Sequence, residues 1–221
     1  MTRPPCLAAL ALIFAFASLA PAQAPEEYRK LTDKQAAQEL TIFARCLATR
    51  RGDRARALAL APYGSDEQAK TAASLIRTID EDCIQGGFDS VKVRVRPDVL
   101  AGAVARALLP KDYPDLSTVV VPSAVDAEAE RARAAALSVA ERFGRCVVWN
   151  DPAGVQALLA AEPGSSTERQ AIAALQEDMG MCLQEGSTLQ LSRSFVRDIA
   201  AVSAYRLAQL LRPRGRGSER G

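Results

Sequence analysis

Four cysteines are the side chains best placed for covalent chemistry with one another: Cys46, Cys83, Cys146 and Cys182. Cys46 and Cys146 close matching words, "FARC" at 43–46 and "FGRC" at 143–146. Cys83 and Cys182 open another matching pair, "CIQGG" and "CLQEG". A thiolate zinc site wants closely spaced cysteine pairs, which these long spacings do not supply. Cysteine–histidine catalysis is excluded because the sequence of 221 residues contains no histidine. Oxidation to disulfides remains, and an even number of cysteines in an exported chain favours it.

The missing histidine also removes Ser-His-Asp catalysis, imidazole general-base work and most transition-metal sites. Ser-x-x-Lys, Gly-x-Ser-x-Gly and the phosphate-cradling Gly-rich loop are absent as well. No cofactor is implied. The carboxylates of "DED" at 80–82 fan around a helix axis instead of converging, and Asp112 with Asp115 offers too few oxygens for calcium. Asp98 and Asp198 recur at matching points. An acid/base pair built on them is conceivable, although solvated surface charge is the plainer reading.

Arg45 and Arg145 precede the matching cysteines, and Arg106 and Arg206 recur in the last helix of each half. Their structural reading is ion pairing or packing of one helix on another. Their functional reading is a set of anion-gripping positions related by internal symmetry. Trp149 is the single tryptophan and has no counterpart, since Thr49 stands at the matching position of the other half. It reads as a packing residue, with an exposed anchor for a partner as the alternative.

The elements that would position these groups come in two sets. At an offset of about one hundred residues, "LALAPYGSDEQ" lies over "LLAAEPGSSTER" and "DVLAGAVARALL" over "DIAAVSAYRLAQLL". Several words in one order indicate a tandem duplication. A duplicated unit with two cysteines most simply closed its own bond, so the expected pairs are Cys46–Cys83 and Cys146–Cys182. Four cysteines allow three connectivities, and cross-repeat pairing is the alternative.

Each unit reads as four helices. Thr32 and Gln35 stand in capping-box spacing before "DKQAAQELTIFARCLATRR", whose Ala36, Leu40, Phe43 and Leu47 share a face. The counterpart reads as one helix from "DAEAERARAAALSVAERFGRCVVW", with Ala136, Val139, Phe143 and Cys146 on a stripe. Asp53 and Asp151 are candidate caps of short second helices that Pro62 and Pro163 end. Ser65…Gln68 and Ser165…Glu168 open the third helices as capping boxes. The apolar face of one includes Ala72, Ile79 and Cys83, and that of the other Ile172, Leu175, Met179 and Cys182. The alternating stretches "VKVRV" at 91–95 and "TLQLS" at 188–192 read as extended chain after the second cysteine of each repeat. The fourth helices begin near Pro97 and Ser194.

The start of the chain reads as an export signal. One arginine, an apolar run from Leu7 to Ala20 and then small residues follow the order of a secretory signal peptide. The run is shorter than the roughly 20 residues a spanning helix needs. Cleavage after Ala22 leaves Gln23 first, discards Cys6 and leaves charge close to balance. That argues against a nucleic-acid partner. The expected organisation is therefore a signal over 1–22, helical repeat 1 over 23–110, an ordered connector over 111–124, helical repeat 2 over 125–211 and a basic, disordered tail over 212–221. The fold class is all-α: a tandem, disulfide-stapled four-helix unit. Alanine- and arginine-rich usage suggests a GC-rich bacterial genome. The function these observations imply is a binding or structural role in the periplasm or outside the cell, with no enzymatic activity. The partner would be an envelope protein or an anionic envelope component. The alternative is a carboxylate/arginine enzyme, or a small-ligand binder with its site between the repeats.

Overall fold

A computed structural model describes residues 31–77, 83, 95–119, 124–186 and 188–211. The signal, the tail and most of the "VKVRV" stretch lie outside the described residues. The described chain is all-helical and closes two disulfides, Cys46–Cys83 and Cys146–Cys182, with Cα–Cα separations of 5.5 and 5.6 Å.

The elements are α1 (Asp33–Arg50), α2 (Gly52–Leu60), α3 (Asp66–Arg77), α4 (Pro97–Asp112), α5 (Leu116–Val119), α6 (Ala124–Ala135), α7 (Val139–Asn150), α8 (Pro152–Ala160), α9 (Ser166–Ala174), α10 (Gln176–Cys182) and α11 (Arg193–Leu211). Residues 188–192 adopt neither helix nor strand, so the alternation there does not mark a sheet. Among the described residues there is no strand, and two-residue periodicity alone does not fix a pairing.

The centre is the crossing of α4 and α11. Both helices are buried on nearly every face, from Leu100 to Ala105 in α4 and from Val196 to Tyr205 in α11. Helices that are apolar all round belong at the core of a helical assembly. Gly102 is what allows their approach: a Cβ there would lie 2.4 Å from the Asp198 Cβ and 2.7 Å from its Cα. Around this crossing α1, α2 and α3 pack on α4, while α7, α8 and α9 pack on α11, and α2 also reaches α11. One continuous apolar core results. At the far end, the Tyr205 hydroxyl donates to Asp112 at 2.7 Å, and Arg56 clamps the same carboxylate at 2.8 and 2.9 Å. This ties α2, α4 and α11 together.

Local chemistry accounts for the helix ends. Thr32 and Gln35 form the expected capping box of α1. Asp151 accepts from the Gly154 N–H at 2.8 Å, and Pro152 occupies the first turn of α8. Asp53 does not cap α2, which begins at Gly52 with Arg51 at the cap position. Asp53 instead lies in the first turn, where its charge favours the helix N-terminus. The long helix expected over 126–149 is broken into α6 and α7. Ser138 and Glu141 form a second capping box, which starts a new helix within the alanine-rich run. Ala136 is consequently exposed and outside the core stripe, which consists of Phe143, Gly144, Val147 and Val148. The expected third helix of the second half also breaks, at Leu175, into α9 and α10.

The third-helix caps differ from the reciprocal box in one respect. Ser65 and Ser165 accept the N–H groups of Gln68 and Glu168 at 3.1 and 3.0 Å. The return bond, however, reaches one residue further back, to the N–H of Gly64 and of Gly164. Both glycines have left-handed backbone, with φ of 73° and 76°, which only glycine adopts without strain. Gln68 and Glu168 are thereby buried, at 0% and 1% exposure.

Candidate functional site

The structure groups the singled-out arginines in two pairs on different surroundings. Arg45, on α1, and Arg106, on α4, both line a cleft of about 730 Å³. Arg145, on α7, and Arg206, on α11, do not line it, and neither does Trp149. Trp149 is half-buried and packs against the core, which favours its packing role.

The cleft lies between α1 and α4 on one side and α8 with the 161–163 turn on the other, with Tyr113, Pro114 and Leu116 at one end. Gln38 donates to Glu162 at 2.5 Å and ties α1 to that turn. The Leu116 N–H donates to the Gln156 side chain at 2.9 Å and ties α5 to α8. Most of the lining is apolar, including Ile42, Ala103, Ala107, Leu109 and Leu159, with Glu39 and Glu162 exposed at the mouth. A concave, mostly apolar space of a few hundred Å³ with a few convergent polar groups is the usual form of a small-molecule site.

Arg106 is a half-buried cation in its lining. Its Nη2 donates to the Thr41 hydroxyl at 2.6 Å, and Nη1 is buried without a partner. Burial, then the nearby Arg197 charge, pushes its guanidinium down to about 10, so it stays charged at neutral pH. Arg45 is exposed and adds a second positive charge close by.

Arg206 has different company. Its Nη1 donates to Glu141 at 2.5 Å and its Nε to the Ala59 carbonyl at 2.9 Å. Glu141 is a hub: it also accepts from the Tyr63 N–H at 2.9 Å and from the Ser138 hydroxyl at 2.9 Å. Burial raises its pKa, but these donors and Arg206 overcome that, and the net direction is downward. This carboxylate therefore fastens the 62–64 turn to the start of α7. Sequence reasoning missed it as a tertiary anchor. The Ser138-x-x-Glu141 spacing was the signal that could have found it.

Behind the cleft is a buried ionic layer. Arg197 donates to Glu168 at 2.8 Å and to Asp198 at 3.4 Å, and all three are less than a tenth exposed. Beside this layer, the exposed Arg96 and the Tyr63 hydroxyl bond to Asp98. Asp98 stands in the first turn of α4 and Asp198 at the helix crossing against Gly102, and neither lines the cleft. Burial pushes the Asp198 carboxyl up to about 7, against the pull of Arg197 and Arg106 and with a further push from Asp98.

That shift fixes a sign. A carboxyl whose folded pKa exceeds its unfolded value binds more protons in the folded state, so stability falls as pH rises between about 4 and 7. The penalty is fully present above pH 7. Glu141, with its lowered pKa, stabilises above its ordinary value of 4.5 and loses that contribution only in more acidic solution. Between pH 5 and 7 the Asp198 slope is expected to dominate, at up to about 1.4 kcal/mol per pH unit. Thermal melts should therefore rise as pH is lowered through this window, and Asp198→Asn should flatten the rise. An Asp198→Asn protein with the native pH slope would contradict the assignment.

Among the described residues no group of three or more His, Cys, Asp or Glu could hold a metal ion, and no helix is long and apolar enough to cross a membrane. The chain matches no protein-family model, no curated protein and no solved structure.

Proposed function

We propose that this protein is an exported, non-catalytic binding protein of the bacterial envelope, periplasmic or secreted, built from a duplicated helical unit and taking a small ligand in the cleft between its two halves. The observation that carries this reading is the cleft itself. Its walls come from α1 and α4 of the first half and from α8 with the 161–163 turn of the second, and a poorly compensated arginine lies within it.

Several features support the duplication. Each half contains a long helix with a half-exposed cysteine, a short second helix, a serine-capped third helix beside the second cysteine, and a long buried last helix. Each closes a disulfide across a nearly equal length of chain, and each repeats the unusual bond from residue 68 or 168 back to a left-handed glycine. The two disulfides fit an oxidising compartment, as the leader composition does. Binding is favoured over the carboxylate/arginine enzyme because the carboxyl poised near neutrality, Asp198, is buried under Gly102 and lies off the cleft.

The test uses the oxidised protein recovered from the envelope fraction. Small molecules released on denaturation are identified by mass spectrometry, beside those from a Leu159→Trp variant whose indole fills the cleft. A molecule carried by the native protein and lost from the variant is the expected result. The same set of molecules from both proteins would contradict a ligand in this cleft.

A further inference from the structure

The two halves treat one arginine differently, and the difference suggests what the cleft takes. At the offset that superposes the matching words, Arg106 corresponds to Arg206, Thr41 to Glu141 and Leu159 to Ala59. Around Arg206, Glu141 neutralises the guanidinium and the Ala59 carbonyl accepts its Nε, while Nη2, like Nη1 of Arg106, is buried without a partner. Around Arg106 the same position carries a threonine, whose neutral hydroxyl accepts one bond and balances no charge. No bond from Arg106 to the Leu159 carbonyl forms, and the cleft occupies that space.

Other charges near Arg106 do not replace the missing carboxylate. Arg197, Asp198 and Glu168 act on it, but Glu168 and Asp198 are engaged with Arg197. Arg45 adds positive charge, and Glu39 and Glu162 stand exposed at the mouth. Arg106 is half-buried and its direct hydrogen-bond partner is a neutral hydroxyl, so an incoming anion in contact with the guanidinium gains a charge-assisted bond that Thr41 does not supply. The mouth carboxylates disfavour ligands bearing several negative charges, and the apolar walls favour a hydrocarbon or aromatic body.

We infer that the cleft binds a small monocarboxylate with an apolar body, its carboxylate seated on Arg106 as the Glu141 carboxylate is seated on Arg206. This rests on the reading of the cleft as the binding site. It names the ligand class that the site selects.

The probes are octanoate, octan-1-ol and inorganic phosphate, titrated by calorimetry and by amide shifts into the full, oxidised protein. Octanoate should bind saturably and shift Thr41, Arg106 and Leu159. Octanol should bind more than about tenfold more weakly, because it leaves the cation unpaired. Phosphate should not bind. Thr41→Glu supplies the carboxylate from the chain itself, so it should raise the melting temperature and weaken octanoate more than about tenfold. Arg106→Gln should abolish octanoate binding; if that variant does not fold, Thr41→Glu carries the test. Octanoate bound equally well by Thr41→Glu would overturn the inference. Octanol matching octanoate, with the same residues shifted, would overturn the carboxylate assignment and leave the cleft as the site. No shift in the cleft from any probe would count against both.

Discussion

Gly102→Ala is expected to destabilise the protein by about 3 kcal/mol or more, at the upper end of overpacking effects, because the added methyl meets backbone. Its Cβ would lie 2.7 Å from the Asp198 Cα and 2.9 Å from the Asp198 Cγ. A flexible side chain could swing away from such a contact, but a helix backbone can yield only by moving the whole helix. Separating α4 from α11 would loosen the apolar layer on which the other helices of both halves pack. For a domain of this size the loss corresponds to a fall in melting temperature on the order of 10 °C. Gly180→Ala is the control, since a Cβ there meets nothing within 4 Å and the residue lies within α10. That variant should be neutral or slightly more stable. Equal melting temperatures for Gly102→Ala and the native protein would show that the two central helices are not in the contact described.

Much of the helical framework was legible in the sequence because it is locally encoded. The Thr32–Gln35 box, the Asp151 cap with Pro152 behind it and the turn glycines at 64 and 164 each act within a few residues, and the structure uses all of them. The errors were also local. The stretch 126–149 reads as one long helix because an alanine-rich run has high helix propensity and no proline interrupts it. The capping box there ends one helix and begins another. The alternation of "TLQLS" is compatible with an extended connector, since residues 188–192 are neither helix nor strand.

The candidate site was legible only in part. Arg45 and Arg106 could be singled out because they recur in register with Arg145 and Arg206. Nothing local distinguishes one pair from the other. The distinction arises where the turn after α8 meets α1 and where the turn after α2 meets α7, across well over a hundred residues of chain in the first case. The burial of Asp198 under Gly102 has the same character. It depends on a helix crossing that no short-range pattern encodes.

Loss of the disulfides is the second large expected effect. The chain separations are 37 and 36 residues, and on the loop-entropy model each bond restricts the unfolded chain by about 4 kcal/mol. Together they approach the whole stability of about 5–15 kcal/mol that a domain of this kind has. Cys46→Ser/Cys83→Ser and Cys146→Ser/Cys182→Ser should each melt well below the native protein. Full reduction should leave the chain largely unfolded at 37 °C, with lost near-ultraviolet dichroism as the readout. Cys83 and Cys182 are buried while Cys46 and Cys146 are half-exposed, so a small reductant has a route to each bond.

The decisive measurement is non-reducing peptide mapping of protein whose free thiols are blocked in intact cells before lysis. Two separate linked species, Cys46 with Cys83 and Cys146 with Cys182, are predicted, both fully formed in the envelope fraction. Alkylated cysteines at these positions, or a peptide joining Cys46 to Cys146, would contradict an exported chain of two individually fastened halves.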